Sequence, residues 1–293
     1  VTCSYPVQGI DCHWSEDKYV TCGATLDIWD EGRAEPLHTF KWGADSITST
    51  RFNPAERNLI GSTGSDRSIT LYDSRASTPL RKLVMNMRNN ALAWNPMEPF
   101  NLVTANEDHN CYSFDIRKFS RPVHIHKDHV SAVMDVSFSP TGMEFATGSY
   151  DRTVRLFKHN EPRSYNVYHT KRMQRIFCAR FTADAKFVLS GSDDTNIRIW
   201  KAKANQNLGQ AMPRQQANAD YSEKLLQRYK HAKEIRRIVR HRHVPTAILK
   251  ASLKKREMDA AEQLKEDRRI KHAKEGAIKK VPARDKPIVK EME

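Results

Sequence analysis

Apolar and polar residues alternate with a two-residue period through the first two hundred positions, and with a helical period after them. Five segments of the first kind end alike: Leu26-Asp27-Ile28-Trp29-Asp30, Ile69-Thr70-Leu71-Tyr72-Asp73, Cys111-Tyr112-Ser113-Phe114-Asp115, Val154-Arg155-Leu156-Phe157 and Ile197-Arg198-Ile199-Trp200. Their aromatic positions 29, 72, 114, 157 and 200 stand 43, 42, 43 and 43 residues apart. A constant spacing of this size predicts a row of equivalent structural units rather than one continuous sheet.

Each unit carries further strand signals. Six residues before the aromatic an aspartate recurs: Asp66, Asp108, Asp151 and Asp194, with Gly23 at that place in the first unit. Small-residue stretches precede it (Gly61 to Ser65, Ala146 to Ser149, Ser190 to Ser192), as expected for a strand running into a tight turn. Further upstream a strand closes on Asn-Pro or Ser-Pro: Phe52-Asn53-Pro54, Trp94-Asn95-Pro96 and Phe138-Ser139-Pro140. This pattern resembles the WD-repeat family, which implies an all-β propeller with four strands per blade. The resemblance also implies a structural hydrogen-bonded tetrad of the turn aspartate with a His, a Ser or Thr and a Trp. Only the fourth unit keeps a recognisable His, His129, so blade packing is expected to rest on apolar contacts. Asp66, Asp108, Asp151, Asp194 and His129 are thus read as structural rather than catalytic. Five repeats that open on a strand-like segment at Val1 are expected to be part of a seven-bladed ring whose first blades are missing. A closed five-bladed ring is the alternative.

After Trp200 the period changes. Residues 201–219 have little periodicity and are expected to be a linker. Asp220-Tyr221-Ser222-Glu223 has capping-box spacing, and Tyr221, Leu225, Tyr229, Ala232, Ile235 and Val239 follow at helical intervals. This predicts a helix from Asp220 that ends before Pro245, and a second from Thr246 to Lys274. Blades over 1–200 would then be followed by a basic α-helical domain over 220–275, and from Gly276 to 293 by a disordered basic tail.

Charge sharpens that division. Residues 1–200 hold 24 Lys and Arg against 23 Asp and Glu, whereas 201–293 hold 25 against 12, so the extension carries nearly all of the net +14. Its densest part is Arg236-Arg237-Ile238-Val239-Arg240-His241-Arg242-His243. A helix C-terminus favours some cations, but this is more than a helix dipole needs, and it points to an anionic partner such as RNA. Aromatics are sparse there, which favours contacts to phosphates over base stacking, although an acidic protein groove would satisfy the same residues. Arg236, Arg237, Arg240, His241, Arg242 and His243 are therefore the candidate RNA- or partner-binding residues.

Other chemistry is weakly represented. Five cysteines with no Cys-x-x-Cys pair read as free thiols of a reducing compartment. His124 and His126 share a strand face but have no Cys or carboxylate partner at fixed spacing, so a zinc site is not expected. The Gly61 to Ser68 stretch lacks the Gly-Lys-Ser/Thr of a phosphate loop, and no nucleophile elbow stands out. No catalytic residue, cofactor or metal is expected. No apolar run approaches the ~18–20 residues of a membrane helix, so no membrane association is expected either.

Longer stretches are more specific. Arg237 to Pro245, Tyr168-His169-Thr170-Lys171-Arg172-Met173-Gln174, Trp94-Asn95-Pro96-Met97-Glu98 and Asp128-His129-Val130-Ser131-Ala132-Val133 resemble the Sof-one family of WD-repeat proteins with a basic C-terminal domain. The resemblance implies a nucleolar, non-catalytic scaffold of the small-subunit processome in ribosomal RNA processing. Its implied partners are a box C/D small nucleolar RNP, pre-rRNA and other processome proteins. A second role is implied as well, that of substrate receptor for a cullin-RING ubiquitin ligase. Tyr72-Asp73-Ser74-Arg75 and Phe114-Asp115-Ile116-Arg117 match the Trp-Asp-x-Arg-like box of such receptors with Tyr or Phe for Trp, making Arg75 and Arg117 the candidate adaptor-docking residues.

Overall fold

A computed structural model of the chain describes residues 3, 5–41, 46–204, 209–274 and 277–292. The repeats fold into successive antiparallel blades. The first blade holds β1 (Gly9–Cys12), β2 (Lys18–Cys22), β3 (Leu26–Asp30) and β4 (His38–Phe40). The second holds β5 (Ile47–Phe52), β6 (Leu59–Gly64), β7 (Ser68–Asp73) and β8 (Pro79–Met85). The third holds β9 (Asn89–Trp94), β10 (Asn101–Asn106), β11 (Cys111–Asp115) and β12 (His124–His126). The fourth holds β13 (Val133–Phe138), β14 (Glu144–Ser149), β15 (Val154–Lys158) and β16 (Ser164–Tyr168). The fifth has β17 (Ile176–Phe181), β18 (Phe187–Ser192) and β19 (Ile197–Lys201). The recurring aromatics all fall on the third strand of their blade.

The punctuation residues act through their side chains. Asn53 Oδ1 accepts the N–H groups of Ala55 and Glu56, both at 2.9 Å, while its Nδ2 donates to the Pro99 carbonyl of the next blade at 2.8 Å. Asn95 repeats the arrangement with Met97 and Glu98 and reaches the Gly142 carbonyl at 3.1 Å. One residue type therefore ends a strand and ties its blade to the following one. In the hairpin before each third strand, Asp66, Asp108 and Asp151 accept the N–H two residues on, at 3.0–3.1 Å. The residue between takes a positive φ: 67° at Arg67, 71° at His109 and 64° at Arg152.

The core lies in the seams between blades. Leu26, Ile28, Phe40, Ile60 and Tyr72 fill the first seam; Leu71, Leu83, Leu92, Trp94 and Phe114 fill the second. Val103, Val136, Phe138, Phe145 and Phe157 fill the third, and Leu156, Met173, Ile176 and Val188 the fourth. Fully burying each such side chain contributes about 1.5–3 kcal/mol. Gly61 and Gly148 allow the close approach these seams need: a Cβ there would lie 2.9 Å from Trp94 and 2.8 Å from Ile176 of the next blade.

The inner strands pack in order, β1 on β5, β5 on β9, β9 on β13 and β13 on β17. Among the described residues no comparable packing returns from the fifth blade to the first. Ile197 and Ile199 on β19 are 76% and 66% exposed, whereas the equivalent apolar positions of the earlier blades are buried. The five blades thus form an open arc.

The extension departs from expectation in three places. Helix α1 (Pro213–Arg228) starts well before Asp220, which lies in its interior. Pro213 at the first helical position is preorganised for the turn, and the Gln215 side chain accepts the Met212 N–H at 3.2 Å, so this earlier cap prevails over the Asp220 box. The stretch expected to be linker is therefore partly helical; residues 205–208 lie outside the described residues. The helix also stops at Arg228, and a separate α2 (Lys233–Val239) follows. Residues beyond α2 are drawn into backbone contact with the fourth blade, so the helix ends before reaching Pro245. Helix α3 (Thr246–His272) lies close to its expected span. Finally, the tail is not wholly irregular. Gly276 itself is outside the described residues, but β20 (Ile288–Met292) pairs antiparallel with β8, Ile288 opposite Met85 and Met292 opposite Lys82. The exposed edge of β8 supplies the hydrogen-bonding partners that the tail sequence lacks on its own.

Candidate nucleic-acid interface

The basic cluster straddles an element boundary. Arg236 and Arg237 are on α2, and Arg240 to His243 form the strap that leaves it. The strap runs along β16. Val167 N–H donates to the His241 carbonyl at 3.2 Å, and His169 Nε2 to the His243 carbonyl at 3.1 Å. The Tyr168 ring packs on His241 with centroids 5.3 Å apart, and His169 lies 5.8 Å from His243. Arg242 donates to Asp128 at 2.7 Å. The same carboxylate oxygen accepts the Ser164 N–H at 2.8 Å and hydroxyl at 2.7 Å, so Asp128 pins the strap to the blade.

Pinning consumes only part of the cation cluster. Arg236, Arg237 and Arg240 are exposed and, among the described residues, form no ion pair. They line a cavity of about 1090 Å³ between α2, the start of α3 and the fourth blade. His241 and His243 also line it, through an arrangement that commits their carbonyls to the blade and leaves both rings exposed. On the far side α3 crosses the blade, with Lys255 Nζ 3.5 Å from the His129 carbonyl and its ammonium pushed down by burial. The extension thus folds back on the arc while keeping most of its arginines available. Sequence reasoning missed the propeller's share of this surface, chiefly Arg163, because no charge run surrounds it.

The turn aspartates occupy four different settings. In the fourth blade His129 Nδ1–H donates to Asp151 at 2.8 Å, Nε2 accepts from Thr147 at 2.7 Å, and Thr153 donates to Asp151 at 2.6 Å. Burial keeps the His129 imidazole neutral, against the pull of Asp151. Burial alone would raise the Asp151 carboxyl, but His129, Arg155 and Thr153 hold it well below the usual carboxylate range. Phe157 replaces the Trp, and the network closes without it. Asp66 instead pairs with Lys82 at 2.7 Å, Asp108 accepts the Tyr112 hydroxyl, and Asp194 holds Arg198. In the first blade, where Gly23 stands, Trp29 Nε1–H still donates to Thr21 at 2.8 Å.

Arg75 and Arg117 share one geometry on adjacent blades. Each clasps the aspartate two residues earlier in a two-pronged pair, Arg75 on Asp73 at 3.1–3.2 Å and Arg117 on Asp115 at 2.7–3.0 Å. Both guanidiniums stay exposed, and Arg117 lies over the Phe100 ring at 4.1 Å. The two nitrogens of His126 are committed to Ser113 and the Glu161 carbonyl, at 2.7 and 2.9 Å. Among the described residues, no group of three or more His, Cys, Asp or Glu side chains is suited to a metal ion, and no helix is long and apolar enough to cross a membrane.

Comparison with known proteins places both regions. Residues 34–73, 120–158 and 165–201 match the WD domain, G-beta repeat, and residues 202–288 match the Sof1-like domain. "DDB1- and CUL4-associated factor 13" of Danio rerio is 49% identical over 285 residues, which cover 97% of this chain and 64% of that protein. The human protein of the same name is 48% identical, over 96% of this chain and 63% of its own length. "Protein SOF1" of Saccharomyces cerevisiae is 51% identical over 244 residues, 83% of this chain and 50% of that protein. The chain therefore spans between 50% and 64% of the length of these relatives.

Proposed function

Because the chain belongs to the Sof1-like family of WD-repeat proteins, we propose that it is a non-catalytic scaffold of the small-subunit processome in ribosomal RNA processing. In this reading it works in the nucleolus, among a small nucleolar RNP, pre-rRNA and other processome proteins. The blades present surfaces to protein neighbours, and the extension contacts RNA. The observation that carries the reading is the exposed trio Arg236, Arg237 and Arg240, held at the blade edge and engaged in no ion pair among the described residues. Such a cluster attracts phosphates and releases their counterions on binding. Replacing all three by Ala should weaken association with single-stranded RNA at least tenfold at 0.1 M salt and flatten its salt dependence. Unchanged affinity and slope would remove the RNA-facing role.

A second reading, substrate receptor of a cullin-RING ligase, is favoured by the twin Asp-Arg clasps and by the name that the vertebrate relatives carry. In it Arg75 and Arg117 meet the ligase adaptor. The double variant Arg75→Ala, Arg117→Ala should then lose co-purification with the adaptor while keeping RNA association; retained co-purification would sink this reading.

A further inference from the structure

The basic strap does not form its anion site alone. Where it passes the loop between β15 and β16, a recess of about 280 Å³ is lined by Arg163 of the propeller together with Arg236, Arg240 and Arg242 of the extension. Arg163 is exposed, lies 73 positions before Arg236 in the chain, and forms no ion pair among the described residues. The carboxylates nearby are already engaged. Glu161 accepts from Lys158 at 2.9 Å, and Asp128 is shared by Arg242 and Ser164. Arg163, Arg236 and Arg240, none of them in an ion pair among the described residues, thus converge with the Asp128-paired Arg242 on one small space whose own lining carboxylate, Glu161, is taken by Lys158. Like charges gathered this way repel one another unless an anion sits between them.

We propose that this recess is a composite seat for the phosphodiester backbone of RNA, and that Arg163 is a binding residue in it. The proposal rests on the RNA-scaffold reading and adds that the fourth blade and the extension must be docked together for full affinity. Guanidinium forks match phosphate oxygens two at a time, which a recess of arginines exploits and lysines do not. The volume has room for one or two phosphate groups. Its one aromatic, Tyr165, has its hydroxyl committed to Glu144 at 2.7 Å. A lining dominated by guanidiniums suits the phosphate backbone, whose contacts carry no sequence information.

The test is fluorescence anisotropy of a labelled, mixed-sequence single-stranded RNA with the full chain, titrated between 0.05 and 0.3 M salt (about the range over which phosphate contacts are read). Arg163→Ala should weaken binding roughly three- to tenfold at 0.1 M salt and lower the log–log salt slope by about 0.7, one single-strand phosphate contact. Arg163→Lys should keep the slope but recover only part of the affinity. Arg33→Ala, an exposed arginine on the first blade, should behave as the unaltered protein. If Arg163→Ala binds like Arg33→Ala while the triple Ala variant of Arg236, Arg237 and Arg240 fails, RNA is held by the extension alone and the composite seat is wrong. If the triple variant also binds normally, the RNA reading falls with it. Displacement of the RNA by polyglutamate at equal charge concentration would assign the recess to an acidic protein segment and overturn the proposal.

Discussion

The arc and the extension solve the problem of stability in opposite ways. Every seam between blades holds a buried apolar cluster, whereas neither α1 nor α3 buries a single residue. The arc is stable because repeats stack on repeats. Tyr221 and Leu225 of α1 and Leu249 and Leu253 of α3 remain exposed, so burial cannot hold these helices in place. What holds the extension is polar and local: the Asp128–Arg242 pair, two backbone-directed hydrogen bonds to β16 and its neighbour His169, Lys255 over the His129 carbonyl, and the pairing of β20 with β8. Tight packing suits a platform. Loose attachment of a charged segment suits a surface that must accommodate a large partner.

The sharpest contrast comes from truncating one side chain in each region. Phe145 is fully buried in the third seam and stacks on Phe157 with centroids 5.3 Å apart. Phe145→Ala should cost about 3–5 kcal/mol in urea unfolding. Leu253→Ala on α3, where the side chain is 48% exposed, should stay within about 0.5 kcal/mol. Comparable losses for the two would mean that the extension has a core of its own, and the contrast would collapse.

Acidification should reveal the arc's buried histidines next. Burial pushes His126 down to about 4, with only the Glu161 carbonyl opposing it. The unfolded chain takes up this proton near pH ~6.5, before the folded chain does. The stabilisation is therefore fully present above ~6.5 and is lost as pH falls toward about 4. Between pH 7.5 and 4.5 the loss from this residue should be roughly 2–3 kcal/mol. His129 is lowered in the same direction and adds to it. Urea midpoints at the two pH values should fall less for His126→Gln than for the unaltered protein, and an identical fall would show that His126 does not titrate across folding.

The same contrast explains what could be read from the sequence. The blades were legible because each strand satisfies its own pattern: aromatics 42 or 43 residues apart, Asn-Pro closures and Asp turns recur whatever surrounds them. The onset of α1 was misplaced because two start signals compete over a short stretch, and Pro213 with Gln215 won over Asp220 with Glu223. Strand β20 was invisible because Ile288 and Val289 sit among charges, and only the waiting edge of β8 makes them a strand. The cationic cluster was plain, but its setting was not. A charge run announces itself within a few residues, whereas Asp128 and Arg163 join it from more than seventy positions away.

Smaller effects should separate attachment from stability. Arg242→Ala removes a charge-assisted bond to a mostly buried carboxylate, worth about 1.5–3 kcal/mol. Because the strap has no core behind it, that loss should appear as local opening rather than global unfolding. Limited trypsin digestion should cut near Arg240 several-fold faster while the thermal midpoint of the arc stays put. A lowered midpoint with unchanged cleavage would reverse the assignment and make the strap part of the cooperative unit.

The smallest effect should come from deleting residues 288–293. Ile288 packs partly against the second seam, but Val289 and Lys290 point to solvent, so little apolar burial is lost. The change falls on β8, whose outer edge becomes exposed. Its amides should exchange with solvent roughly five- to tenfold faster, equivalent to about 1 kcal/mol of local protection, while amides of β13 and β14 remain as they were. Unaltered exchange along β8 would mean that β20 only rests on the blade, and that its pairing contributes no free energy to holding the extension.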